Sequence, residues 1–139
     1  MTTETETAIS FSEVESMICA CANLIEEDKV YWVGGGGYPL QSIFLSQQTR
    51  TPMVTIITED GGIGPQPQLP LDPMMAMVSA KSGYRALAWS NMNNVCNHAS
   101  LGLIDYGILQ TLQVDPWGNV NSSMLGTDYY HPERRYGGA

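Results

Sequence analysis

Two rhythms of apolar positions alternate along the first sixty residues. Val14, Met17, Ile18, Cys21, Leu24 and Ile25 recur every three or four positions, the spacing of a helix with one apolar face. Ser12 and Glu15 form a capping-box pair ahead of that face, so an amphipathic helix is predicted over 13–27. Glu26-Glu27-Asp28 ends the pattern, and Val30-Tyr-Trp-Val33 reads as a short strand. Gly34 to Gly37 follow. Pro39 suits the first turn of a helix, which predicts a second one over 39–48. Met53 to Thr58 is a continuous β-branched run, as in a strand covered on both faces. Two strands separated by a helix imply a parallel pair with a right-handed crossover.

Beyond residue 60 the pattern weakens. Gly61, Gly62, Gly64, Pro65, Pro67, Pro70 and Pro73 mark a long loop over 61–75, and such loops are often functional. Arg85 to Trp89 reads as a further strand, and 97–105 as a short helix with Leu101 and Ile104 inward. Residues 106–114 are strand-like, Asp115-Pro-Trp-Gly118 is a turn, and 119–125 returns as the second arm of a hairpin. The fold expected is α/β: a mostly parallel open sheet with flanking helices and a β-hairpin near the C-terminus. Residues 1–10 read as a flexible tail and 11–139 as a single domain.

Composition narrows the partners. With 43% hydrophobic and 14% charged residues the 139-residue chain is globular in character. A net charge of -8 with six Lys and Arg disfavours nucleic acid and anionic membrane. The longest apolar run falls well short of the roughly 18 residues of a spanning helix. The polar, acidic start is unlike a signal peptide, so the cytoplasm is the expected location. An odd number of cysteines fits reduced thiols, and Cys19-x-Cys21 on a helix points its two thiols to different faces, so no metal is expected. The three tryptophans and eight methionines read as core and interface filling. Tyr136-Gly-Gly-Ala139 resembles neither a capped helix nor a sealed edge strand, as though the chain stopped early or another polypeptide completed the sheet.

The chemistry points to Glu59. A carboxylate at the carboxyl end of a buried parallel strand stands where open α/β sheets bind ligands. Gly61, Gly62 and Gly64 after it let backbone approach a substrate, and Gly35, Gly36 and Gly37 form a second turn on the same edge able to face an oxyanion. The ordinary reading of Glu-Asp-Gly, a solvated turn acid, competes with this. A dinucleotide site at 34–37 is disfavoured, for there is neither G-x-G-x-x-G spacing nor a Walker lysine. His98 reads as a helix-capping residue and His131 as a surface residue; no zinc or Ser–His–Asp spacing occurs.

Four segments resemble the β subunits of family I coenzyme A transferases, most like the glutaconate and 3-oxoacid types. Val33-Gly-Gly-Gly-Gly-Tyr-Pro-Leu40 is similar to the family's G-x-G-x-P turn, read as Gly35, Gly37 and Pro39. Thr58-Glu-Asp-Gly-Gly-Ile-Gly64 is similar to the (S/T)-E-(N/S/D)-G-x-x-G segment bearing the family's nucleophile, which implies that role for Glu59. Gly102-Leu-Ile-Asp105 resembles a helix end leading into a strand, and Leu112 to Asn121 resembles the Q-V-D-x-x-G-N-x-N hairpin. Family β subunits run considerably longer, and the four consecutive glycines exceed the usual pattern. The resemblance implies an α-type partner subunit in a hetero-oligomer, coenzyme A as substrate with no tightly bound cofactor, and transfer through a glutamyl-CoA thioester. Hydrolases and decarboxylases on the same scaffold, or a non-catalytic shortened subunit supporting an α partner, are the alternatives.

Overall fold

The computed structural model describes residues 10–34, 36–71 and 81–136. Helix α1 spans Glu13–Asn23 and opens on the expected capping box: the Ser12 hydroxyl accepts from the Glu15 N–H at 3.2 Å, and the Glu15 carboxylate accepts from the Ser12 N–H at 2.7 Å. The helix ends at Asn23, four residues before the predicted limit, and Leu24 caps it. Strand β1 is Val30–Val33, α2 is Tyr38–Thr49, and β2 is Thr55–Thr58. The predicted αβαβ order is therefore present. The second strand is shorter than its apolar run because Pro52-Met53 forms a turn, with the Met53 N–H donating to Glu27.

β1 and β2 pair in parallel with Val33 opposite Thr58. β5, Tyr106–Ile108, lies parallel on the other side of β1. β3, Gly62–Ile63, folds back antiparallel on β2, and β4, Ala88–Trp89, completes a sheet of order β4-β3-β2-β1-β5. The centre is parallel and one flank antiparallel. The 61–75 stretch read as loop thus contributes a strand, which periodicity over two residues does not reveal. Residues 72–80, with Pro73, lie outside the described residues, as do 1–9 and 137–139.

The core is one cluster on the helical face of the sheet. Tyr31, Val33, Val54 and Ile56 meet Leu40, Ile43 and Phe44 of α2, with Ile25 beyond the end of α1. Ser46 and Thr51 share a buried hydroxyl hydrogen bond of 2.8 Å at the end of α2. Strand β5 is fastened to β1 at the amino edge, where Asp105 accepts from the Val30 N–H at 2.8 Å and meets Lys29 at 3.3 Å. The Val30 N–H, then Lys29, holds the Asp105 carboxyl below the usual range.

Other expectations need correction. The short helix lies at Met92–Ser100 (α3), not 97–105. Asn91 caps it by accepting from the Asn94 N–H, and Gly102 at φ +73° ends it with Gly102 N–H to Ala99 and Leu103 N–H to His98. Leu101 is therefore exposed and past the helix, and Val95 is the inward residue. The segment 106–114 splits into β5 and β6 (Gln113–Val114), and 119–125 splits into β7 (Val120–Asn121) and β8 (Met124–Leu125). Strand β8 pairs with β9, Arg134–Arg135, while the 85–89 strand reduces to two residues after Arg85 at φ +54°. The β6–β7 hairpin is as read, its turn tied by Asp115, which accepts from Trp117 and Asn119.

The apolar face of α1 is only partly covered: Val14, Met17 and Leu24 are exposed. Trp89 and Trp117 are exposed too, so they do not fill this chain's own core.

Phe44, 1% exposed in the middle of the cluster, sets the first test. Phe44→Ala is expected to cost about 3–5 kcal/mol in chemical denaturation, against less than about 1 kcal/mol for exposed Phe11→Ala. Acidification gives a second. The Asn119 side chain and backbone hold the Asp115 carboxyl below its usual range. A depressed carboxylate adds hairpin stability above its unfolded pKa that is lost as pH falls through the folded one. The Trp117 and Asn119 amide resonances should thus move only in acid below the ordinary carboxylate range, and Asp115→Ala should remove that transition.

Candidate active site

Both glycine-flanked turns leave the same edge of the sheet. Because Val33 is registered with Thr58, Gly34 and Glu59 each follow a paired residue, and neighbouring strands are about 4.8 Å apart. Register therefore places the backbone of Glu59 next to that of Gly34 at this edge. Glu59 is half-buried.

The turn carrying Glu59 is tightly tied. The Gly61 N–H donates to the Thr58 carbonyl at 3.0 Å, closing a four-residue turn with Glu59 and Asp60 at its centre. The Thr58 hydroxyl, fully buried, donates to Asp60 Oδ1 at 2.5 Å and accepts from the Gly62 N–H at 2.9 Å. Ser82, also fully buried, reaches Asp60 Oδ2 at 3.4 Å. The Gly64 N–H donates to Ile56 at 2.7 Å.

These bonds divide the glycines expected to line the site. The N–H groups of Gly61, Gly62 and Gly64 are engaged within the chain, so these residues shape the turn. Gly61 has φ +102°, and a Cβ there would lie 2.6 Å from the Ser90 carbonyl carbon. At Gly62 a Cβ would strike the Thr58 hydroxyl at 2.7 Å. On the other turn, Gly37 at φ +71° is the N-cap of α2 and offers no side-chain cap. Gly36 and Gly37 thus stand at a helix N-terminus, where amides and dipole favour an anion. Gly34 is tied to Ile108 by a 3.0 Å bond, and Gly35 lies outside the described residues.

Part of the proline-rich segment adjoins the turn. Gln47 of α2 donates to the Pro65 carbonyl at 3.3 Å, and Pro65 is buried, while Gln66, Gln68, Leu69 and Pro70 are exposed. A groove of about 350 Å³ opens beside the start of α2, lined by Met17, Tyr38, Pro39, Ile108 and Leu109 among others. His98 sits in the last turn of α3, and His131 pairs with Asp128 at 3.0 Å on the surface. Among the described residues no group of three His, Cys, Asp or Glu is arranged for a metal. No helix among them is long and apolar enough to cross a membrane.

No protein-family model matches the chain. Over 137 residues it is 33% identical to the B subunit of the 3-oxoadipate CoA-transferase of Pseudomonas knackmussii, covering 94% of this chain and 48% of that protein. It is 28% identical to the B subunit of the glutaconate CoA-transferase of Acidaminococcus fermentans, again over 94% of this chain, and 49% of that one. The chain resembles the B subunits of CoA-transferases. It spans about half the length of these curated relatives. The crystal structure of the Acidaminococcus glutaconate CoA-transferase superposes with a TM-score of 0.71 at 24% identity, over 92% of this chain and 49% of that one. That of the decarboxylase AibA/AibB gives 0.77 at 19% identity, over 93% and 52%. At these identities the likeness is one of fold, and it agrees with the α/β sheet, flanking helices and hairpin.

Sequence reasoning picked out Glu59 and its glycines but not Thr58, Asp60 and Ser82. Nothing in a Thr-Glu-Asp-Gly string says that β3 folds back and turns the threonine hydroxyl into its hub. The Gly61 slot offers a direct check. Gly61→Ala is expected to lower stability by at least about 2 kcal/mol, since positive φ and a backbone clash add, whereas Gly102→Ala, with open space around it, should cost about 1 kcal/mol. Thermal melts of the two variants compare them.

Proposed function

We propose that this chain acts as a B-type CoA-transferase subunit, with an A-type partner in a hetero-oligomer and Glu59 as nucleophile. The observation that carries the proposal is the Val33–Thr58 register: Gly34, which leads toward α2, and Glu59 each follow a paired residue at one edge of the sheet. Similarity to the B subunits of two transferases supports it.

The Glu59 carboxylate attacks the thioester carbonyl of an acyl-CoA. The C–S bond breaks, giving an acyl-glutamyl anhydride and CoA thiolate. The thiolate attacks the glutamyl carbonyl, releasing the donor acid and leaving a glutamyl-CoA thioester. The acceptor carboxylate then runs both steps in reverse. No water enters, so the activated acyl bond is conserved, which is why a carboxylate suits the task where a hydroxyl would not. Coenzyme A is substrate here, and no tightly bound cofactor is required. Each addition forms an oxyanion, for which the proposed donors are the backbone amides of Gly35, Gly36 and Gly37; one such donor contributes about 3 kcal/mol. Gly61, Gly62 and Gly64 hold the nucleophile's turn, and the segment from Pro65 helps keep water from the anhydride.

A hydrolase on this scaffold would use Glu59 to activate water, without a covalent intermediate. Trapping separates the two. The complex with an A-type partner, treated with acyl-CoA and then borohydride, should carry its label on the peptide containing Glu59, detected by mass spectrometry. Glu59→Ala should abolish label and transfer, and Glu59→Asp should lower kcat about 100-fold, as the carboxylate retreats by a methylene. Turnover without label would overturn the proposal in favour of hydrolysis.

A further inference from the structure

We propose that Asp60 is a positioning residue: held by the hydroxyls of Thr58 and Ser82, it fixes the turn that aims Glu59, an inference that rests on Glu59 being the nucleophile. Two carboxylates, Glu59 and Asp60, stand side by side in the sequence. Asp60 takes one hydroxyl at each oxygen, at 2.5 Å from Thr58 and 3.4 Å from Ser82, and both donors come from residues without solvent exposure. Hydrogen bonds to an ionised carboxylate are about twice as strong as those between neutral groups, so the short bond from Thr58 holds the side chain firmly.

The geometry passes to Glu59 through the backbone. Thr58 is locked in the parallel ladder opposite Val33, and its carbonyl accepts from the Gly61 N–H. Its hydroxyl donates to Asp60, with the Gly62 carbonyl a longer alternative at 3.3 Å, and accepts from the Gly62 N–H at 2.9 Å. Residue 58 is thus fixed by the sheet and residue 60 by its side chain. The peptides between them are left one orientation, and that orientation sets the direction of the Glu59 Cα–Cβ bond. Ser82 ties the clamp to a segment 22 residues away, so the turn is braced against the rest of the chain.

A clamp that merely stabilised the protein would lower its melting temperature and leave the folded complex fully active. A positioning clamp lowers kcat per folded complex more than it moves KM, because it acts on the step that Glu59 performs. The experiment uses the complex with the A-type partner. Asp60→Ala and Thr58→Val should each lower kcat about 10- to 100-fold with KM within about twofold, the scale of an ångström-level misplacement. Asp60→Asn and Thr58→Ser keep an acceptor and a hydroxyl in place, and each should restore kcat to within about threefold. Because both groups share the Thr58–Asp60 contact, the double variant Thr58→Val with Asp60→Ala should lose less than the product of the two single losses. The borohydride-trapped adduct at Glu59 should fall in parallel. A normal kcat and adduct in folded Asp60→Ala, or additive losses in the double variant, would overturn this inference alone. If Asp60→Ala does not assemble, Thr58→Val against Thr58→Ser decides the question, and equal kcat values overturn it. A wild-type complex that forms no Glu59 adduct overturns the transferase reading and this inference with it.

Discussion

The parallel pairing of β1 with β2, with Val33 opposite Thr58, is the constraint on which the rest depends. A slip of one residue would turn every side chain of β2 to the other face. Ile56 would leave the cluster with Tyr31, Val33 and Phe44, and the Thr58 hydroxyl would leave the turn it organises. The register is held by that buried cluster, to which α2 contributes Leu40, Ile43 and Phe44. Core packing and site assembly are in this sense the same event.

Once the strands are in register, polar satisfaction shapes the site. The sharp reversal from β2 into β3 leaves several buried N–H groups, and a buried donor without a partner is costly. The Thr58 carbonyl takes one and the Thr58 hydroxyl another, and Asp60 takes the hydroxyl proton. Glycine is needed at 61, because any Cβ would meet the Ser90–Asn91 backbone. On the neighbouring turn the pressure runs the other way. Gly37 ends the approach to α2 with positive φ and no capping side chain. The glycines of one turn spend their amides on the chain itself; the helix start at the other has no side-chain cap.

Legibility in the sequence tracked the range of the interactions involved. The capping box at Ser12 and Glu15, the β1 run, the Pro39 helix and the Asp115 hairpin each rest on contacts within a few residues, and each is where the pattern put it. The misplaced α3 was also local in cause, but its signals, Asn91 and the αL Gly102, were weaker than the apolar pair Leu101 and Ile104 that drew the reading downstream. Two-residue strands such as β3, β4 and β9 carry no periodicity and exist only through their partners. The amphipathic pattern of α1 was real in the sequence, yet Val14, Met17 and Leu24 remain exposed in a chain about half the length of its relatives.

The sequence by itself determined the α/β alternation, the acid at a strand end and the two glycine turns. These follow from side-chain periodicity and from the φ preferences of glycine and proline, which act within a few residues. Only the tertiary structure decided that the two turns share an edge, that Gly61, Gly62 and Gly64 are occupied with holding backbone, and that Asp60 is tied to Ser82. Each of those depends on which strand lies beside which, and that choice is made by burying apolar side chains far apart in the chain.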